Sequence, residues 1–104
     1  MLNKNKLHSR DEILVRRGIV SNDLDGTPLF INDKCEGYRV NDTAVSLWNM
    51  CNGITFEELK EEVLRISNDN EENIISALGE MIEQMRSVSV LDTKRVKRDP
   101  FIIR

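Results

Sequence analysis

Pro28–Leu59 reads PLFINDKCEGYRVNDTAVSLWNMCNGITFEEL, and its first half has the pattern of a β-hairpin. Leu29–Ile31 is an apolar run, and Asp33–Gly37 supplies the polar residues and the glycine that form turns. Tyr38–Val40 then alternates apolar and charged side chains, as a half-buried strand does. The pattern predicts two paired strands, the second of them at Glu36–Val40.

Helix signals fill the second half of this stretch. Asn41 is a suitable N-cap, and the apolar residues behind it recur at the i, i+3, i+4, i+7 spacing of one buried helix face: Ala44, Leu47, Trp48 and Cys51. Gly53 is predicted to end this helix, because a left-handed position after a helix suits glycine. Thr55–Glu58 has the Thr-x-x-Glu pattern of a capping box and predicts a second helix.

The flanking sequence extends this order of elements in both directions. Ile13–Ser21 reads as a first strand, and Asp25 with Gly26 forms a typical hairpin dipeptide, so a three-stranded meander is predicted over Ile13–Val40. The second helix is predicted at Phe56–Ile66, and it would bury these apolar residues: Phe56, Leu59, Val63 and Ile66.

A third and longest helix is predicted at Glu71–Arg86, with acids at its positive end and an arginine at its negative end. Its apolar residues form two adjacent stripes, the first comprising Ile74, Leu78, Met81 and Met85, and the second comprising Ile75 and Ile82 with Gly79 between them. Val88–Leu91 is predicted as a short closing strand.

These elements predict an α+β fold, a small winged-helix-like domain in which a three-stranded antiparallel sheet is followed by three helices. A length of 104 residues suits a single domain that folds without disulfides or metals. We divide the chain into a flexible N-terminal segment at residues 1–12, a folded domain at residues 13–92 and a basic C-terminal tail at residues 93–104.

Composition and charge restrict the class of protein. No apolar run approaches the roughly 20 residues that span a bilayer, and the charged N-terminal residues do not resemble a signal peptide, so we expect a cytoplasmic protein. Cys35 and Cys51 are expected to be reduced and structural, since neither has a partner at metal-ligand spacing. The basic residues of the tail suit either a solvated segment or contact with an acidic partner.

The residue inventory does not favour an enzyme. His8 is the only histidine, and no serine or cysteine beside it forms a recognisable nucleophile motif. The sequence has neither a glycine-rich phosphate loop nor a Cys-x-x-Cys pair. We therefore expect no catalytic activity, no cofactor and no metal.

The alternative for a winged-helix pattern is a DNA-binding domain, whose third helix would enter the major groove. Glutamates along this helix would be repelled by the phosphate backbone, and they are Glu71, Glu72, Glu80 and Glu83. Nucleic-acid binding by the domain is therefore not expected. A small protein–protein adaptor remains open as a further alternative.

The ordered combination of these motifs resembles the PqqD-like family, small peptide chaperones also called recognition elements for ribosomally synthesised, post-translationally modified peptides. The matching residues are Tyr38-Arg39-Val40-Asn41-Asp42-Thr43-Ala44-Val45-Ser46-Leu47-Trp48, then Asn52-Gly53, then Thr55-Phe56-Glu57-Glu58-Leu59. The similarity extends more loosely to about Leu91. Val40 stands where the family usually has leucine.

The resemblance implies that an extended leader peptide binds between the third strand and the third helix. An edge strand could pair with such a peptide through free backbone groups. The strand wall would be Cys35, Glu36, Gly37, Tyr38, Arg39 and Val40, and the helix wall would be the second stripe, Ile75, Gly79 and Ile82, together with Arg86. The implied partners are a precursor's leader peptide and a modifying enzyme, either a radical SAM protein or a leader protease or cyclase. A membrane partner is not expected, and a homodimer remains open.

Overall fold

The computed structural model describes residues 12–95. Two predictions therefore lie largely outside the described residues, the flexible N-terminal segment and the basic tail. His8 also lies outside them.

The described chain forms an α+β domain with three helices and two small antiparallel sheets, which confirms the predicted fold class. In chain order the elements are β1 (Glu12–Arg16), β2 (Ile19–Asn22), β3 (Pro28–Ile31), β4 (Gly37–Arg39), α1 (Asp42–Met50), β5 (Asn52–Thr55), α2 (Phe56–Ile66), α3 (Glu71–Ser87) and β6 (Leu91–Arg95). One sheet has the order β5-β1-β6, and the other has the order β2-β3-β4.

The predicted first strand, Ile13–Ser21, was wrong as a single element. Its first part is β1, which pairs with β5 and β6, and its last part is β2, which pairs with β3. The break falls at Gly18, which has φ +79° and approaches β3 so closely that a Cβ atom there would lie 2.2 Å from the carbonyl oxygen of Ile31. The meander is therefore β2-β3-β4, and β1 belongs to a second sheet.

Local signals at the helix starts are confirmed. The side chain of Asn41 accepts a hydrogen bond from the amide of Ala44, and Thr55 with Glu58 forms the complete capping box of α2. Gly53, in contrast, does not end α1, since that helix stops at Met50 with Cys51 as its C-cap. Gly53 has φ +104° and lies inside β5, where it is the residue skipped as the register shifts between Leu14 and Val15 of β1.

The burial of one residue and the boundaries of two strands also differ from the sequence prediction. Ile66 is 78% exposed, because α2 ends there and its last turn leaves the core. The closing strand begins at Leu91 and continues to Arg95, so Thr93–Arg95 pairs with β1 instead of belonging to the tail. Glu12 likewise lies in β1 and not in the N-terminal segment.

The core lies between the two sheets and the three helices. Trp48 of α1 connects these layers, since its ring centroid lies 5.3 Å from that of Phe30 in β3 and its Nε1 donates a hydrogen bond of 2.8 Å to the carbonyl of Val90, just before β6. The side chains with almost no exposure are Leu14, Phe30, Cys51, Leu59 and Val90.

Candidate peptide-binding groove

The β2-β3-β4 sheet has two edge strands, β2 and β4, and β4 pairs only with β3 among the described strands. The amide of Val40 donates to Pro28, and the amide of Asn32 donates to the carbonyl of Glu36. Because hydrogen-bonded pairs alternate along an antiparallel ladder, this register directs the backbone groups of Tyr38 toward β3. The N–H and C=O groups of Gly37 and Arg39 consequently point outward, where an incoming strand could pair with them.

An apolar cavity lies on the inner face of this edge, between β4, the start of α1 and the second half of α3. It has a volume of about 160 Å³ and is lined by Phe30, Tyr38, Val40, Ala44, Met81, Gln84, Met85 and Val88. A shallower depression of about 440 Å³ continues from it past Val40, Ala44, Met81 and Gln84 to Arg39 and Asn41. We call the two together the groove.

Strand geometry explains why Tyr38 forms part of the groove. Tyr38 stands directly opposite Phe30 in the register, so both side chains project from the same face of the sheet. Phe30 is 1% exposed and forms the floor, whereas Tyr38 is half-buried at the rim. Tyr38 can therefore be both a cross-strand partner of Phe30 and a surface for a bound peptide.

A polar network ties the two walls of the groove together at one end. Asn32 is buried, and its Nδ2 donates to Glu36 Oε1 at 2.9 Å and to the carbonyl of Val88 at 3.0 Å. Its Oδ1 accepts from the amides of Lys34 and Glu36. The hydroxyl of Tyr38 donates to the same Glu36 carboxylate at 3.3 Å. The β3–β4 turn is thus held against the end of α3.

Glu36 gives this network a dependence on pH. The hydrogen bond from Asn32 is the main cause that lowers the pKa of Glu36 below its ordinary value of 4.5, with smaller contributions from Tyr38 and Lys34. A carboxyl with a lowered pKa stabilises the fold fully above its unfolded pKa, and this contribution is lost as the pH falls through the folded pKa. We expect Glu36→Gln to weaken the acid dependence of the melting temperature below about pH 4.5 while leaving its dependence near neutrality unchanged. Identical acid dependence in the two proteins would contradict this role.

The predicted helix wall does not line the groove. Ile82 is 4% exposed and belongs to the core. Ile75 is 37% exposed and is not among the residues that line the groove. Arg86 pairs with Glu83 at 3.3 Å and lines a separate polar depression with Arg17, Asp33, Ser89, Leu91 and Asp92. The groove wall is instead formed by Met81, Gln84 and Met85 of α3 and by Val88, which follows the end of the helix.

The spacing of these residues is the signal that could have identified the wall. They recur at i, i+3, i+4 and i+7, the spacing of one helix face, and Met81 and Met85 also belong to the first apolar stripe of α3. Met85 is indeed 4% exposed, but it also lines the cavity, and Met81 is half-buried. Methionine suits such a wall because its flexible side chain adapts to different ligands.

Gly79 has no packing role that would require glycine. A Cβ atom at this position would meet nothing within 4 Å, so neither tight helix packing nor a close backbone approach within the described chain explains it. Alanine has the higher helix propensity, and we expect Gly79→Ala to increase the free energy of unfolding by about 1 kcal/mol. Chemical denaturation measures this change. Unchanged peptide affinity in the same variant would place Gly79 outside the site, and a loss of affinity would place it inside.

On the strand side, the predicted residues divide into two groups. Tyr38 and Val40 line the cavity, and Gly37 and Arg39 offer backbone groups at the edge. Cys35 is exposed in the β3–β4 turn with φ +64°, outside the groove lining. The other cysteine, Cys51, is a buried free thiol whose pKa is raised to about 11 by burial.

Charge on the described part of α3 is negative at its solvent face. Glu71, Glu72, Glu80 and Glu83 are all exposed. Lys60 of α2 is buried and pairs with Glu57 at 2.7 Å and with Glu71 at 3.0 Å, and these hydrogen bonds raise its pKa. The lysine thus joins α2 to α3 and leaves the acidic outer face in place.

Residues 12–95 contain no cluster of histidine, cysteine and acidic side chains that could hold a metal ion. No helix in this part of the chain is long and apolar enough to cross a membrane. Comparisons with models of protein families, with curated proteins and with solved structures found no significant match.

Proposed function

We propose that this protein is a non-catalytic peptide-recognition protein, which binds the leader segment of a ribosomally made precursor by strand addition and delivers it to a modifying enzyme or a leader protease. The observation that carries the proposal is the position of an unpaired strand edge beside an apolar groove. Strand addition uses two features of this kind, free backbone groups for affinity and a pocket for alternate side chains.

The dimensions of the groove fit this mode of binding. An apolar cavity of about 150 Å³ accommodates benzene, so the deeper part of the groove, at about 160 Å³, matches one large apolar side chain. The shallower part is bordered by Arg39, Asn41 and Gln84, which can hydrogen-bond to the continuing peptide. An extended peptide would therefore place one apolar anchor in the cavity and polar groups beyond it.

The charge on α3 supports this proposal over duplex DNA binding. A helix that enters the major groove needs cationic or amide side chains toward phosphates and base edges, whereas Glu80 and Glu83 are exposed on α3. We propose the cytoplasm as the location, and a radical SAM protein or a leader protease or cyclase as the enzyme that receives the peptide, following the resemblance of the motifs around Asn41 and Thr55.

A proline at Arg39 tests strand addition directly. Arg39→Pro removes one outward N–H group, and a lost backbone hydrogen bond weakens binding by about 0.5–1.5 kcal/mol. Proline is tolerated at a sheet edge when the missing N–H faces outward, so the melting temperature should change little. The ligand is a peptide selected for groove binding from a phage-displayed library. We expect it to bind Arg39→Pro about two- to ten-fold more weakly than the wild-type protein in isothermal titration calorimetry.

The matched control is Arg39→Ala, because the arginine side chain also pairs with Asp23 at 2.5 Å. This variant loses the ion pair but keeps the N–H group. Equal loss of affinity in both variants would assign the effect to the side chain and contradict strand addition at this position.

A further inference from the structure

Asn32 connects the two walls of the groove, although it does not line the groove itself. It follows β3 and is 5% exposed, and its Nδ2 donates to the carbonyl of Val88 at 3.0 Å. Val88 is the C-cap of α3 and lines the cavity. Among the hydrogen bonds of residues 12–95, this is the only one that joins the β3–β4 hairpin to α3 or to its C-cap. One buried side chain therefore fixes the two walls to each other at this end.

The same side chain fixes the turn that precedes the strand wall. Its Oδ1 accepts from the amides of Lys34 and Glu36 at 2.9 and 3.0 Å, and its Nδ2 also donates to the Glu36 carboxylate at 2.9 Å. Asn32 thus uses both of its amide hydrogens and both lone pairs of its amide oxygen. A buried polar group with all of its hydrogen bonds made favours one arrangement of the elements it joins.

A second link across this junction is exposed to solvent. Arg17 pairs with Asp33 of the same turn at 3.0 Å and with Asp92 of β6 at 3.5 Å, and these three side chains are 43%, 64% and 52% exposed. Ion pairs between exposed side chains contribute little to stability. We therefore expect Asn32, and not Arg17, to control the separation of the walls.

The two ends of the groove differ in how far they can adapt to a ligand. At the open end the wall consists of the side chains of Met81 and Gln84, which can change rotamer. At the closed end the backbone of Val88 is tied to the sheet, so a change of rotamer does not widen the groove there. The cavity of about 160 Å³ has the size that accommodates one benzene ring, about 150 Å³. The two fused rings of an indole would need the walls to separate, and overfilling a packed site is unfavourable.

We propose that Asn32 is a positioning residue that sets the width of the groove, and that the bound peptide is thereby restricted to an anchor of the size of leucine, methionine or phenylalanine, with tryptophan excluded. This inference rests on the proposed function, because it names the class of peptide that the same groove accepts. Asn32 does not touch the peptide and acts through Val88 and Glu36.

Peptides that differ only at the anchor test the proposal with the full-length protein. A peptide is selected for groove binding from a phage-displayed library, and its anchor is identified as the position most sensitive to replacement by alanine. Versions with leucine, phenylalanine or tryptophan at this position are then titrated by isothermal titration calorimetry. We expect the wild-type protein to bind the phenylalanine version about ten-fold more tightly than the tryptophan version.

Combining Asn32→Asp with Glu36→Gln breaks the link to Val88 and keeps the turn. The new carboxylate still accepts from the two amides of the turn and receives a hydrogen bond from the new glutamine, but it cannot donate to the Val88 carbonyl. We expect the preference for phenylalanine over tryptophan to fall to about three-fold or less. Asn32→Ser, which is too short to reach Val88 but can still stabilise the turn, should lose the preference in the same way. Two matched controls, Glu36→Gln alone and Asp33→Asn, should keep it.

An unchanged preference in the Asn32 variants would overturn the proposal, because a residue with only a structural role would weaken binding of both peptides equally. Equal affinity of the wild-type protein for both peptides would overturn it as well. In these two cases the proposed function stands, since peptides still bind the groove. If the library yields no peptide whose binding is lost in Met81→Glu, the proposed function fails, and this inference fails with it.

Discussion

Replacing Ile82 with glutamate is expected to unfold much of the protein, whereas the same replacement at the neighbouring Met81 should mainly abolish peptide binding. Ile82 is 4% exposed within the core, and Met81 is half-buried on the groove wall. Loss of a buried isoleucine side chain alone reduces stability by about 2–5 kcal/mol, and burying an unpaired carboxylate adds to this. Small domains are stable by about 5–15 kcal/mol, so Ile82→Glu removes a large share of the total.

The measurements are the melting temperature and the affinity for a peptide selected from a displayed library. Ile82→Val is the conservative control for the core position, with an expected loss of about 0.5–1.5 kcal/mol. For Met81→Glu we expect a folded protein whose affinity falls about ten-fold or more, because the cavity would receive a charge. A wild-type melting temperature for Ile82→Glu would show that this side chain is not part of the core.

These two adjacent positions also show where sequence reasoning stops. The period of α3 identified two apolar stripes, and both exist as helix faces. Which stripe packs inward depends on the rotation of α3 about its axis, and this rotation is set by distant partners such as Phe30 and Trp48. One position along a helix changes the direction of a side chain by about 100°. The observed rotation places Ile82 in the core beside most of the first stripe and leaves Met81 on the groove wall.

The elements that were predicted correctly depend on local chemistry. Asn41 and Thr55 cap their helices through contacts with residues three positions later, which the sequence displays directly. The position of β4 at a sheet edge also agreed with the prediction. The pairing of β1 was missed because its partners, β5 and β6, are far away along the chain. Gly53 was misassigned for a related reason, since its positive φ serves β5 and not the helix end.

Formation of the groove depends on the long-range core contacts of Phe30 and Trp48, and replacing Trp48 tests this dependence. We expect Trp48→Ala to reduce the free energy of unfolding by about 3–5 kcal/mol, because a buried ring leaves a large cavity. Trp48 is 6% exposed, its ring packs against Phe30, and the guanidinium of Arg16 lies 5.3 Å from its centroid. Chemical denaturation provides the measurement.

Trp48→Phe separates the ring from its hydrogen bond. The carbonyl of Val90 accepts from Trp48 Nε1 at 2.8 Å and also from the amide of Arg17 at 2.9 Å. Because this oxygen keeps one partner in either variant, removal of the indole N–H should account for only about 0.5–1.5 kcal/mol. A loss in Trp48→Phe as large as that in Trp48→Ala would assign the stability to the hydrogen bond. If Trp48→Phe loses less stability than Trp48→Ala, as we expect, most of the effect comes from packing of the ring against Phe30. Phe30 forms the floor of the groove, so Trp48→Ala should also weaken peptide binding, although Trp48 itself does not line the groove.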